Sequence, residues 1–308
     1  MAQKISFQNS NNPDISMSAL LFLPPHFDKT AKYPAIVVTH PAGGVKEQTS
    51  GLYASKFAEE GFVTLAFDAS YQGESSGTPR QLENPYIRTE DISAVIDYLL
   101  TLDYVNGDKI AAFGICAGGG YTVNAAINDP RIKVLGGASA ADFGKVFREG
   151  WDGHSNMEAS FPFLEVGANA RTLKVQGKKA DMIPLAPLKK EDAQNEDMAE
   201  LWEYYHTERA QQPTSPSVMT ARSLNQLVTY QAFGLAEIFL RQPVILSVGD
   251  RAGTAWMSKE LVKKAKNSKE AKLILVENAN HPDLYDRPAA TAKVAKETIH
   301  FFKKHLEL

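Results

Sequence analysis

The stretch that most constrains this chain is Ile110-Ala-Ala-Phe-Gly-Ile-Cys-Ala-Gly-Gly-Gly120. A short apolar run ends in Gly-x-Cys-x-Gly, and a helix-like segment, Tyr121 to Ile127, follows. This is the pattern of a nucleophile elbow, in which a strand turns so sharply into a helix that the central residue is strained and its neighbours two before and two after must be Gly. The turn lifts one side chain clear of the sheet, here the thiol of Cys116. The helix N-terminus below it offers free N–H groups and a partial positive charge, which favour a thiolate and stabilise charge developing on a substrate. Gly-rich turns after strands also bind phosphates, and a lone Cys is most often a small buried hydrophobe. The spacing of Gly114, Gly118, Gly119 and Gly120 does not fit G-x-G-x-x-G, however, and the chain has no G-x-x-x-x-G-K-[ST].

The flanking pattern supplies the rest of a sheet. Lys4–Gln8 and Ser18–Leu23 predict an edge hairpin around the turn Asn11–Asp14. Pro34–Thr39 and Phe62–Phe67 are continuous apolar runs of the kind buried on both faces. Helices are predicted over 48–60 and 88–102, the second carrying Ile92, Val95, Ile96 and Leu99 on one face. Strand, helix, strand, helix and elbow strand in succession imply a mostly parallel sheet flanked by helices. Val134–Ala138 adds a strand, and then the rhythm breaks until Pro243–Val248. After that come a helix over 258–266, the strand Lys272–Val276, and a helix over 289–305 that turns Val294, Phe301 and Phe302 inward. The expected organisation is a sheet domain of residues 1–140 and 242–308 interrupted by a cap of residues 141–241. In the cap, Glu191–Arg209 reads as helical, and Trp202, Tyr204 and Tyr205 read as packing residues.

Polar residues at the ends of these strands form a catalytic set. In open α/β sheets functional groups gather at the carboxyl ends of the strands, so Cys116, Asp250 and His281 should converge in the order nucleophile, acid, base. His281 would take the thiol proton and return one to the leaving group, and Asp250 would fix its tautomer and stabilise the imidazolium. Asp142, which follows the strand ending at Ala138, is the second candidate acid, and Asp283 a third. Either is equally a turn or cap residue. The loop His40-Pro-Ala-Gly-Gly44 should provide an oxyanion hole. Pro41 has no N–H, so the donors would be Ala42 or Gly43 together with Ala117. His40, Tyr71 and the pair Lys46-Glu47 are expected at the mouth, His40 and Tyr71 as substrate contacts.

Composition narrows the partners. With 33 basic and 36 acidic residues, a formal net charge of −3, the chain has no electrostatic footprint for nucleic acid or an anionic membrane. A small acyl substrate is the expected partner, no cofactor is called for, and an assembly of identical subunits is compatible with the sequence. A single Cys excludes an intrachain disulfide, and the polar start Met1-Ala-Gln-Lys-Ile has no apolar signal core, so a cytoplasmic location is expected.

The motifs His40-Pro-Ala-Gly-Gly, Phe67-Asp-Ala-Ser-Tyr-Gln-Gly-Glu-Ser75, Gly114-Ile-Cys-Ala-Gly-Gly-Gly120 and His281-Pro-Asp-Leu-Tyr-Asp286 resemble those of α/β-hydrolases of the dienelactone-hydrolase-like group. They are similar to a bacterial branch of that group and to fungal polyketide acyltransferases. The resemblance implies an α/β-hydrolase fold and a Cys-His-Asp triad matching Cys116, His281 and Asp250. The segment from Ala141 to Arg241, which compact dienelactone hydrolases lack, prevents the substrate from carrying over. The expected activity is hydrolysis of an ester, lactone or thioester through an acyl-cysteine. Acyl transfer to an alcohol or amine is the alternative, and a non-catalytic binding protein of the same fold the second. A redox role for Cys116 has no second Cys to resolve it.

Overall fold

The computed structural model describes residues 2–308. Strands β1 (Ala2–Asn9), β2 (Asn12–Phe22), β3 (Tyr33–Thr39), β4 (Val63–Phe67), β5 (Val105–Ile115), β6 (Ile132–Ala138), β9 (Val244–Gly249) and β10 (Ala271–Val276) form one sheet in the order β1-β2-β4-β3-β5-β6-β9-β10. The β1–β2 and β2–β4 pairs are antiparallel and all the others are parallel. Helices α1 (Thr49–Glu59), α2 (Pro85–Leu100), α3 (Ala117–Asn128), α9 (Ala255–Lys264) and α11 (Pro288–Leu306) make the crossovers and cover the faces.

The central strands are apolar throughout because both of their faces are covered. Ile36, Val37, Val38, Leu65, Phe67, Ile110 and Phe113 are all fully buried. Ile92, Val95, Ile96 and Leu99 of α2 and Val294, Phe301 and Phe302 of α11 join the same core, as the helical spacing predicts. Three helices, α2, α3 and α9, begin at least three residues earlier than expected. For α2 the reason is a cap: the Asn84 side chain accepts from the N–H groups of Tyr86 and Ile87, with Pro85 at the first helical position. In α3 the three glycines form the first turn itself.

Residues 141–241 add no strand to the main sheet. They hold α4 (Phe143–Glu149), α5 (Phe161–Val175), α6 (Glu196–His206), the short helices α7 (Leu224–Leu227) and α8 (Ala236–Phe239), and a two-stranded ribbon of β7 (Met182–Pro184) and β8 (Val218–Thr220). A last short helix, α10 (Asp283–Asp286), lies between β10 and α11. Among the described residues no helix is long and apolar enough to cross a membrane.

Candidate active site

Cys116 sits between β5 and α3 with φ 54° and ψ −126°, a left-handed conformation that a side-chain-bearing residue adopts only when its surroundings impose it. The surroundings here are backbone. A Cβ on Gly114 would lie 2.2 Å from the Gly118 carbonyl oxygen, and one on Gly118 would lie 2.5 Å from the oxygens of both Thr39 and His40. The Cys116 N–H donates to Ala138 O at 3.0 Å, and its own carbonyl accepts from Gly119 N and Ala141 N, both at 2.9 Å. The elbow is therefore clamped from β6 and from its own helix.

The thiol lies within reach of the Ala117 N–H and the Tyr285 hydroxyl. Only 7% of Cys116 is exposed. Burial pushes the thiol up to about 11, outweighing both hydrogen bonds. Desolvation of the sulfur is thus a larger effect than the helix N-terminus expected to favour a thiolate, and it favours the neutral thiol.

His281 is fully buried in the loop after β10. Its ring is held at both nitrogens, Nδ1 lying 2.5 Å from Thr254 Oγ1 and Nε2 3.0 Å from the Tyr285 hydroxyl. Trp151 packs on the ring, with centroids 4.7 Å apart. The backbone is fixed as well. The His281 N–H donates to Asp197 Oδ1 at 2.8 Å, and the Ser139 hydroxyl donates to its carbonyl at 2.9 Å. Burial lowers the imidazole to about 4, against the opposing charge of Asp197. Asp197 Oδ2 accepts from Trp151 Nε1 at 2.6 Å and from Gly253 N at 2.8 Å, so this carboxylate from α6 ties the covering segment to the loops after β9 and β10.

The structure does not bring Asp250 to His281. Its N–H donates to Val276 O at 3.0 Å, while its side chain is exposed and has no hydrogen-bond or ion-pair partner among the described residues. The physical reason is the turn after β9, in which Arg251 N donates to Ala279 O and Ala252 N to Gly249 O. That turn sends the Asp250 carboxylate outward and brings Thr254 to the imidazole. Asp142 is the N-cap of α4, accepting from Gly144 N and Lys145 N, and Asp283 accepts from Asn280 N. Both serve local backbone.

The loop after β3 is a tight turn in which Gly44 N donates to Pro41 O at 3.1 Å and Gly43 has φ 69°. Among the described residues, the N–H groups of Ala42, Gly43 and Ala117 donate to no backbone carbonyl. The close approach of Gly118 to Thr39 and His40 sets this loop directly against the elbow. His40 is not a surface contact. Its ring is fully buried, with Nε2 accepting from Ala69 N at 3.2 Å and Nδ1 donating to Pro41 O at 2.6 Å. Burial and the charge of Arg88 hold it well below the usual imidazole range. His40 is a neutral brace inside the loop, which corrects its placement as a substrate contact.

Tyr71 is displaced too. It has φ 72° and lines a cleft of about 280 Å³ beside Asn12, Ile15 and Tyr86, at the β1–β2 turn. Neither Cys116 nor His281 lines that cleft. Lys46, expected at the mouth, is fully buried and paired with Asp68 at 2.7 Å, Glu47 at 2.7 Å and Glu74 at 2.6 Å.

Several residues here have no sequence signal. Arg88, buried on α2, donates through Nη2 to His40 O at 2.6 Å and pairs with buried Glu83 at 3.7 Å. Glu83 also accepts from Tyr121 and Gln72. From the segment 141–241, Leu185 covers Gly43, where a Cβ would meet it at 2.7 Å, and Ser215 Oγ donates to Gly43 O at 2.5 Å. Tyr204 accepts from Thr49 N at 2.9 Å. The segment thus covers both the loop after β3 and His281. Tyr285 stands four residues after His281 in the last of the four motifs.

Comparison with known proteins bears on the family and the fold. The family model described as "Dienelactone hydrolase family" matches residues 17–144. The uncharacterized protein YcjY of Escherichia coli K12 is 55% identical over 306 residues, covering 99% of this chain and 100% of that one. The crystal structure of hypothetical protein PA2218 from Pseudomonas aeruginosa superposes with a TM-score of 0.88 at 31% identity, over 99% of this chain and 94% of the other. The fungal thiohydrolase aneE of Aspergillus aculeatus is 30% identical over 105 residues, 34% of this chain and 33% of its own. With its elbow, sheet order and relatives in agreement, this chain belongs to the dienelactone hydrolase family of α/β hydrolases.

Proposed function

We propose that this protein is an acyl hydrolase acting on an ester, lactone or thioester, with Cys116 as nucleophile and His281 as base. The observation that carries the reading is the left-handed conformation of Cys116 at the start of α3, which a buried packing Cys would not require. Attack of the sulfur on the acyl carbon gives a tetrahedral oxyanion, received by the Ala117 N–H and by Ala42 or Gly43. Collapse expels the alcohol or thiol, which takes its proton from His281, and leaves an acyl-cysteine. Water, deprotonated by the same imidazole, then releases the acid.

The acidic partner in this reading is Asp197 in place of Asp250. Its charge favours the imidazolium formed during the reaction, and Thr254 holds the ring orientation through Nδ1. The name of the fungal relative, a thiohydrolase, supports inclusion of thioesters.

Steady-state rates on p-nitrophenyl esters and acyl-CoA thioesters, with and without an added alcohol, test this reading. Free acid as product, lost in Cys116→Ala, is the expected result. Acylated alcohol at the expense of acid would show acyl transfer, and turnover unchanged in Cys116→Ala would refute the nucleophile.

A further inference from the structure

A third side chain stands between the thiol and the imidazole. The Tyr285 hydroxyl lies 3.0 Å from His281 Nε2 and also neighbours the Cys116 thiol. Its position is firmly set. Tyr285 is 1% exposed, and its ring meets Tyr204 edge-on at 5.1 Å and His281 at 5.6 Å. The Tyr53 hydroxyl donates to the carbonyl of the preceding residue, Leu284, at 2.7 Å, and Tyr204 is itself tied to Thr49 N. A phenol held in this way is both donor and acceptor, so it can receive one proton while releasing another.

We propose that Tyr285 is a catalytic residue that relays the Cys116 proton to His281, an inference that rests on the reading of Cys116 as nucleophile. With Nδ1–H donated to Thr254 Oγ1, Nε2 is the free acceptor. The thiol proton moves to the phenol oxygen as the phenol's own proton moves to Nε2. One S–H and one O–H bond break, and one O–H and one N–H bond form. The S–H electron pair stays on sulfur, which attacks the acyl carbon, and the products of the transfer are thiolate, neutral tyrosine and imidazolium. No tyrosinate accumulates, in keeping with burial that raises the phenol well above its usual value.

The test is Tyr285→Phe in the full chain, which keeps the ring and removes the hydroxyl. The melting temperature and the rate of Cys116 acylation by p-nitrophenyl acetate are measured, the latter in H₂O/D₂O mixtures. The relay predicts a melting temperature near that of the wild type and acylation slower by roughly 10² to 10⁴, the range for a lost acid–base group. It also predicts a bowed dependence on deuterium fraction in the wild type, from two protons in motion, that becomes linear in the variant. Acylation at the wild-type rate overturns the relay. So does a slowed rate with an unchanged isotope dependence, which would mark a packing role. Should Tyr285→Phe fail to fold, a fluorotyrosine at position 285 keeps the hydroxyl but alters its acidity, and an unchanged rate there overturns the relay. A wild-type protein that is never labelled at Cys116 is a different result and removes the premise for both readings.

Discussion

Asp197, on a helix outside the main sheet, accepts a 2.8 Å hydrogen bond from the backbone N–H of His281, in the loop after the last strand. The carboxylate hydrogen-bonded to the candidate base is therefore supplied by the segment that covers the site. Its other oxygen holds Trp151, which packs on the same imidazole. Removing this charge should affect both the imidazolium and the seating of the cover.

Asp197→Asn is expected to lower kcat/KM by a factor on the order of 10 to 10⁴, the upper end being the loss seen for the acid of a serine triad. The new amide would also point a donor at the N–H groups of Trp151 and Gly253, at a cost of about 1–3 kcal/mol in stability. Asp250→Asn, at an exposed position with no partner, should stay within about twofold of wild type. Parallel kinetics and denaturant melts of the two variants check this; a large loss in Asp250→Asn with none in Asp197→Asn would restore the sequence-based assignment.

The protonation states predict a pH profile. His281, lowered to about 4, remains a free base until the pH falls through that value, so the acid limb of kcat/KM should lie near 4 and not near 6.5. Cys116, raised to about 11, is a thiol at neutral pH. Iodoacetamide should label it slowly there, the rate climbing about tenfold per pH unit on the alkaline side, because only the thiolate reacts. Rapid labelling, constant from mildly acid to mildly alkaline pH, would instead reveal a resting thiolate–imidazolium pair.

Gly118→Ala should be severely damaging. Its Cβ would meet two backbone oxygens, Thr39 and His40, at 2.5 Å, and either the elbow or the loop after β3 must shift. An activity loss of at least about 10² is expected from misplacing oxyanion donors. Gly107→Ala, where the Cβ meets only Leu100 Cδ2 at 2.9 Å, is the control, since a side-chain tip can swing aside. Equal activity in the two variants would mean that the close backbone approach is unimportant.

Arg88→Met should unfold the protein more readily, by about 3–5 kcal/mol, because Glu83 is left buried without its cation and the His40 carbonyl without its donor. Chemical denaturation measures this directly. A change below about 0.5 kcal/mol would show that the buried pair contributes nothing to holding the loop.

The contrast between what the sequence reveals and what it conceals has a physical basis. Apolar runs bury both faces of β3, β4 and β5, and the elbow needs glycines at fixed offsets, so Cys116 and the sheet around it are local patterns that can be read directly. His281 follows from its place after the last strand. Asp197 does not, because its role depends on α6 folding back over a loop 84 positions away in the chain, and an acidic residue in the first turn of a helix ordinarily reads as a cap. Thr254 displaces Asp250 through the direction of one turn, which is set by backbone hydrogen bonds and leaves no mark in composition. His40 misleads for a similar reason: a polar residue at a strand end suggests a ligand contact, and here it braces its own loop.

The most direct test of the nucleophile is mass spectrometry of the protein quenched during turnover of a slow ester. The mass of the acyl group is expected on the tryptic peptide that contains Cys116, and is expected to be absent in Cys116→Ala. Turnover with that peptide unmodified at every quench time, or label on another residue, would contradict the assignment of Cys116 as nucleophile.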